Sequence, residues 1–395
     1  MEPAAPGVGM ELPDGWSPQP FREFILKVHS RCDLSCRYCY VYEMSDQSWR
    51  SRPKSISREN IQHCADRIAE HVKAHGLDEV RVIFHGGEPL LAGAPLIDYA
   101  VSTIRGATDA RVGFVVQTNG VLLDAEYLKL FDSLDVHVGI SLDGDADAHD
   151  RYRRRANGEG SYKAVARSIE QLTSAPFRHL FNGLLCTIDP RNDPVGTYEA
   201  LARFGPPTID FLLPHGNWSS PPPGRIPGSK ETPYADWLIS VFNHWYDAPR
   251  QEVRVRLFAE IMKLLLGGKS ATELVGLSPY GAIVIETDGS IEQSDILKSA
   301  YSGAPVTGLH VSRDPFDDAL ALPSIVARQI GILALSDDCR ACEIHRICGG
   351  GLYAHRYREG EGFVNPSVYC PDLFRLISHI RDVVSADVAT IKGAQ

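Results

Sequence analysis

Two groups of cysteines carry the chemistry this chain could do. Cys32, Cys36 and Cys39 follow one another as Cys-x3-Cys-x2-Cys; Cys339, Cys342, Cys348 and Cys370 form a second set, and only Cys64 and Cys186 stand apart. Structural zinc takes four protein ligands, and no Cys or His in the twenty residues after Cys39 completes such a set. Three thiolates do suit a four-iron cluster, because one iron keeps an open position for another ligand. Four thiolates make a closed site, for which structural zinc and an iron–sulfur cluster are both open readings. Cys64, in a helical pattern, and Cys186, in the apolar run GLLCTI, read as small buried hydrophobes.

These groups need elements to position them. The segment FREFILKVHS, from Phe21, is strand-like and runs straight into the first cysteine group. A helix is predicted over Ser57 to His75, with Ser57 as its cap. Strand patterns follow at Glu79 to His85, Gly113 to Thr118, Val136 to Leu142, His179 to Ile188 and Ile209 to Leu213, separated by helical patterns at Leu96 to Arg105, Asp124 to Ser133 and Tyr162 to Ser174. Such alternation predicts about six parallel βα units with right-handed crossovers in a full or partial (β/α) barrel. Catalytic groups of such barrels gather at the C-terminal strand ends. Gly86-Gly87-Glu88-Pro89, Gln117-Thr118-Asn119-Gly120 and Ser141-Leu142-Asp143-Gly144, then Arg153, all fall there.

Pro214 to Pro233 is dense in Pro, Gly and Ser and reads as a long loop. Helical patterns at Tyr234 to Asp247 and Arg254 to Leu266, a hairpin from Ala282 to Gln293 turning at Asp288-Gly289, and a helix from Asp372 to Thr390 complete the chain. The expected organisation is a mobile tail over 1–20, a barrel core over 21–215, a loop and helical bridge over 216–275, and a cysteine-bearing domain over 276–395. Apolar residues at 44% and charged residues at 23% describe a folded globular protein, and forty basic against fifty acidic residues give a net charge of −10. That balance offers no overall field for nucleic acid or an anionic membrane. No apolar run approaches the ~20 residues of a membrane span, and the N-terminus has no signal pattern, so a cytoplasmic location is expected.

CDLSCRYCY, with Tyr38 before the third cysteine, resembles the cysteine loop of radical S-adenosylmethionine (radical SAM) enzymes. In that family Cys32, Cys36 and Cys39 would hold a 4Fe–4S cluster whose open iron chelates S-adenosyl-L-methionine; one electron from an external donor such as a flavodoxin or ferredoxin yields a hydrogen-abstracting 5'-deoxyadenosyl radical. The resemblance implies that Gly86, Gly87, Glu88 and Pro89 contact the methionine amino group, and that Gln117, Asn119, Ser141 and Arg153 sit at ribose- and carboxylate-contacting positions. Cys186 would lie at the strand end approaching adenine.

CRACEIHRICGGGLYAHR resembles the SPASM domain of radical SAM enzymes that modify ribosomally made peptides and proteins, and implies an auxiliary 4Fe–4S cluster on Cys339, Cys342, Cys348 and Cys370. A complete domain of this kind binds two auxiliary clusters through seven cysteines. Here Leu352 stands at one of those positions and Ser294 at another, while the following acid, Asp295, is kept. That pattern, with IDFLLPHGNW, is similar to FxsB-type maturases. The resemblance implies a partial (β/α)6 radical SAM barrel followed by a small SPASM-type domain, acting on a precursor peptide to join an aromatic ring carbon to a nearby β-carbon, a cyclophane. Asp295 or His215 would take the ring proton. A formylglycine-forming sulfatase maturase is the alternative within the family, and a zinc-binding interaction protein the alternative outside it.

Overall fold

The computed structural model describes Leu12 and residues 14–393, so most of the expected tail lies outside the described residues. Ten strands form one sheet: β1 (Glu23–His29), β2 (Glu79–Gly86), β3 (Arg111–Thr118), β4 (Val136–Ser141), β5 (Phe181–Thr187), β6 (Thr208–Leu212), β7 (Arg254–Val255), β8 (Ala282–Ile285), β9 (Ser290–Glu292) and β10 (Val306–His310). Their order is β10-β9-β8-β1-β2-β3-β4-β5-β6-β7, parallel from β8 through β7 and antiparallel in the β8–β9–β10 hairpins. Helices α1 (Arg58–His75), α2 (Ala94–Ala107), α3 (Ala125–Leu134), α4 (Ala146–Tyr152), α5 (Tyr162–Leu172) and α6 (Pro194–Ala202) make the crossovers. The sheet curves around a lumen lined by alternate residues such as Ile25, Ile83, Val115 and Gly139. The opposite faces, with Phe24, Leu26, Val82 and Phe114, pack on the helices in one core that also holds Cys64.

Local sequence explains these boundaries. The Ser57 hydroxyl accepts the Asn60 N–H, and Gly76, in the left-handed region, ends α1. Asp124 accepts two amide N–H groups at the start of α3.

Three expectations change. The pattern Arg254 to Leu266 is not one helix: Arg254 and Val255 pair in parallel with Thr208 and Ile209 as β7, and α8 (Arg256–Leu265) starts after them. Val253 and Val255 are buried while Arg254 is exposed, the two-residue alternation of a strand. The hairpin expected within the cysteine-bearing stretch extends the barrel sheet, because β8 joins β1 with Glu23 opposite Ala282 and Leu26 opposite Ile285. His179 and Leu180 form a short 3-10 turn ahead of β5.

The Pro-rich loop is strapped down. Asn217 Nδ2 donates to the Ser299 carbonyl at 2.9 Å, Trp218 Nε1 donates to the Pro366 carbonyl at 2.7 Å, and buried Arg225 lies 3.3 Å from Asp372. Asp372 also accepts the Tyr234 and Ala235 amides at the start of α7 (Pro233–Tyr246). The end of the expected tail is held too, since Gln19 exchanges hydrogen bonds of 2.9 and 3.0 Å with the Gln329 side chain. The C-terminal helix spans Cys370–Gly393 and buries Leu373, Leu376, Ile377 and Ile380 in the main core.

Candidate active site

The loop leaving β1 brings Cys32, Cys36 and Cys39 to the rim of a cleft of about 200 Å³ at the C-terminal strand ends. Gly86 and Gly87 from β2, Gln117 and Asn119 from β3, Ser141 from β4, and Tyr38, Arg153 and His215 line it as well. Glu88, Pro89 and Cys186 are not among its lining residues. On β5 the neighbours of Cys186, Leu185 and Thr187, face the cleft, and pleat alternation puts the Cys186 thiol in the core at 1% exposure.

The glycine pair is required by the protein's own packing. A Cβ on Gly86 would stand 2.0 Å from the His29 carbonyl oxygen, and one on Gly87 would stand 1.8 Å from Tyr42 Oη and 2.5 Å from the Arg31 carbonyl. The Gly87 and Glu88 amides donate to the His29 and Arg31 carbonyls at 2.9 Å, so the β2 end grips the cysteine loop. Glu88 is fully buried and accepts from Thr118 Oγ1 (2.7 Å), Asn119 N (2.8 Å) and Leu90 N (3.0 Å). Burial pushes its carboxyl up to about 7 against those bonds. Its role here is to tie β2 to β3 beneath Asn119, whose amide donates to Asp33 at 2.7 Å.

Tyr38 reaches across the cleft to donate to Asp143 and accepts from the Arg153 guanidinium at 2.9 Å. Asp143 also accepts the Thr187 amide at 2.9 Å. Behind Arg153, His149 Nδ1 accepts the Asp143 amide and its Nε2 meets Ser161 Oγ at 2.9 Å, while Ser161 donates to the Arg153 carbonyl. Arg153 Nε and Asp33 Oδ2 are buried without a hydrogen-bond partner among the described residues. Arg153 lines the cleft and Asp33 is held beside it by Asn119, so one unpaired guanidinium nitrogen and one unpaired carboxylate oxygen remain to meet a ligand carrying both a carboxylate and an ammonium group. Burial raises the thiols of Cys32, Cys36 and Cys39, that of Cys36 to about 11, so metal binding must displace their protons.

Asp295 does not face open solvent. It lies in a 3-10 turn after β9, 5% exposed, with Oδ2 2.8 Å from Lys27 Nζ and 3.8 Å from His85 Nδ1. Burial alone would lower the Lys27 ammonium, and Asp295, Glu286 and Glu292 together outweigh it and raise it. The three acids converge, but Lys298, 2.6 Å from Glu286 and 3.3 Å from Glu292, and Arg52 share the space, so they are ion-paired. His85 and Asp295 line the lumen cleft of about 480 Å³, and His85 also lines the cysteine cleft. A third cleft, about 550 Å³, contains His215, His355, Ser294 and Leu352, and Tyr40 lines all three. The Tyr40 and His215 rings lie 4.6 Å apart, edge to face. Burial lowers His85 and His215 to about 4 and holds His355 well below the ordinary imidazole range, so all three imidazoles stay neutral. Sequence reasoning missed His85 and His355. The parity of Arg81, Ile83 and His85 along β2 was the available signal for His85.

The second thiol set sits on short turns: Cys339 in Asp337–Ala341, Cys348 ending His345–Cys348, and Cys370 opening the C-terminal helix. Gly349, Gly350 and Gly351 follow with positive φ, and buried Arg356 donates to the carbonyls of all three. A Cβ on Gly349 would stand 1.7 Å from the Gly276 carbonyl oxygen. Burial and the neighbouring Cys339 and Cys342 raise Cys370 to about 11; burial, Cys370 and Cys339 raise Cys348 to about 12.

A curved parallel sheet with a three-thiol loop at its C-terminal end defines a barrel enzyme built around an open-sited cluster. The model of the "Radical SAM superfamily" matches residues 26–201, and the chain belongs to that superfamily. An uncharacterised protein of Synechocystis sp. is 31% identical over 355 residues, 87% of this chain and 86% of its own. A "Cysteine-type anaerobic sulfatase-maturating enzyme" of Clostridium novyi is 23% identical over 352 residues, 86% of this chain and 90% of its own. Native anSMEcpe with bound AdoMet and Cp18Cys peptide shares the fold with a TM-score of 0.74 at 18% identity, covering 93% of this chain and 99% of that one. The protein is an enzyme whose cofactors are S-adenosyl-L-methionine and 4Fe–4S clusters. Among the described residues no helix is long and apolar enough to cross a membrane.

Proposed function

We propose that this enzyme oxidises a ribosomally made precursor peptide and closes a carbon–carbon bond between an aromatic ring carbon and the β-carbon of a nearby residue. The observation that carries this reading is the cleft shared by Ser294 and Leu352. Both stand where the fuller cysteine pattern supplies cluster ligands, and together with Tyr40, His215 and His355 they border about 550 Å³ that adjoins the three-thiol cleft. That space takes a peptide side chain.

Cys32, Cys36 and Cys39 would hold one cluster, Cys339, Cys342, Cys348 and Cys370 the other, and Gly86, Gly87, Gln117, Asn119, Ser141 and Arg153 would bind S-adenosylmethionine. When bound, these groups supply hydrogen-atom abstraction and a sink for one electron. The chain's own residues do the rest. Bond formation removes one hydrogen from the β-carbon and one from the ring, the second leaving as a proton and an electron. His85, neutral and backed by Asp295, is placed to accept that proton at the junction of lumen and cysteine cleft; His215 is the acceptor on the other side of Tyr40. Glu88 and Asp143 do not touch the reacting groups and instead fix Asn119, Tyr38 and Arg153.

A second reading is formylglycine formation, favoured by the sulfatase-maturating relative, which aligns over 86% of this chain. The test is anaerobic incubation of the reduced, reconstituted enzyme with S-adenosylmethionine and either a peptide encoded beside its gene or a sulfatase-type peptide. Crosslinking is expected to remove two hydrogens and leave two residues linked in tandem mass spectra. An aldehyde that captures a hydrazide probe would establish the second reading in its place.

A further inference from the structure

On the outer side of the barrel, away from both thiol sets, two histidines of α1 and an aspartate of a distant segment converge. His71 Nδ1 lies 2.5 Å from Asp317 Oδ1, and His75 Nε2 lies 3.1 Å from both oxygens of Asp317. All three offer a ligand atom within 4.8 Å of the others. The histidines are four apart and so share one helix face. Asp317 lies in the first turn of the short helix α9 (Phe316–Leu320), whose Phe316 ring packs 5.1 Å from Phe24 of β1.

The hydrogen bonds of His71 do not close by themselves. Its Nε2 faces the Phe21 carbonyl oxygen at 3.2 Å, which accepts only, so the tautomer that satisfies this contact carries its proton on Nε2. In a neutral ring that leaves Nδ1 with a lone pair pointed at a carboxylate, two acceptors 2.5 Å apart. Something positive must stand between them: a second proton or a metal ion. His71 is 1% exposed, so the gap between the two acceptors is closed to bulk water on the ring's side. A ring whose outer N–H is held by a backbone carbonyl while the other nitrogen faces an anionic ligand has the outer-partner arrangement of metal-binding histidines.

We propose that His71, His75 and Asp317 bind a divalent cation of zinc type, which fastens the segment after β10 to α1. Two imidazoles and one carboxylate suit such an ion, with a fourth position for water. Water has access, because His75 is 26% and Asp317 43% exposed at the side chain. Bond lengths of about 2.0–2.2 Å to the ion require the 2.5 Å contact to open by under an ångström, which the exposed Asp317 side chain can do by rotating.

The test uses the cluster-loaded holoenzyme, supplied with zinc, dialysed and analysed for zinc and iron together. Expected are one zinc per chain, an unfolding midpoint raised by zinc, and affinity at least about tenfold weaker in His75→Ala and in Asp317→Asn, with iron unchanged. Equal zinc in the wild type and in both variants would overturn the site. So would a wild type that retains none, which would mean that the second proton, an imidazolium–carboxylate pair, closes the gap.

Discussion

Lys27 Nζ lies 2.8 Å from Asp295 Oδ2, and both side chains are buried, at 2% and 6% exposure. The pair ties the first strand of the barrel to the turn after β9, across more than 260 residues of sequence, beside the parallel pairing of β1 with β8. An acid that could act on substrate is thus also part of the joint between the barrel and the hairpin. Removing one partner is different from removing both.

Lys27→Met should cost about 3–5 kcal/mol, because Asp295 is left buried beside Glu286 and Glu292 with less positive charge to balance them. The double variant Lys27→Met/Asp295→Leu should recover much of that loss. Urea unfolding of the two single variants and the double variant measures the coupling, and simple additivity would mean that the contact contributes nothing.

Asp295→Asn and His85→Gln should each slow product formation by roughly 10²- to 10⁴-fold while 5'-deoxyadenosine still forms. Because His85 is lowered to about 4, it remains a competent base down to about pH 5, and product formation should show no inflection near 6.5. Loss of cofactor cleavage in either variant would assign the residue to positioning of the cofactor or substrate.

Iron analysis of the reconstituted enzyme should give about eight irons per chain in two 4Fe–4S clusters. Gly87→Ala, whose Cβ would meet the Arg31 backbone at 2.5 Å, should lose the first cluster and keep about four irons, as should Cys32, Cys36 and Cys39 changed together to Ala. About twelve irons in the parent would contradict the reading of Ser294 and Leu352.

His149 is buried with its ring lowered to about 3, chiefly by burial and then by Arg153. In the unfolded chain it titrates near 6.5, so its contribution is complete above that value and is lost as pH falls toward 3, at about 1.4 kcal/mol per pH unit. His149→Gln should flatten the pH dependence of unfolding between 6.5 and 3 by that slope. An unchanged slope would mean that His149 is already protonated in the folded protein.

The cysteine spacing and the strand–helix alternation determined the barrel class and the three-thiol loop by themselves, because both depend on contacts between near neighbours in sequence. The Ser57 cap and the Asp288-Gly289 turn were legible for the same reason. What sequence left open depends on which distant segments meet. Gly86 and Gly87 read as places for a ligand, and only the fold shows the Arg31 and His29 carbonyls pressed against them. Glu88 and Cys186 sat in the right motifs, yet pleat alternation and burial turned their side chains away from the cleft. The two-residue strand β7 is too short to carry a periodic signal and exists because β6 offers an edge to pair with. Lys27 with Asp295, and His71 with Asp317, are partners that no local pattern announces; each is fixed by the cost of burying a charge or an acceptor alone, which only the packed chain can impose.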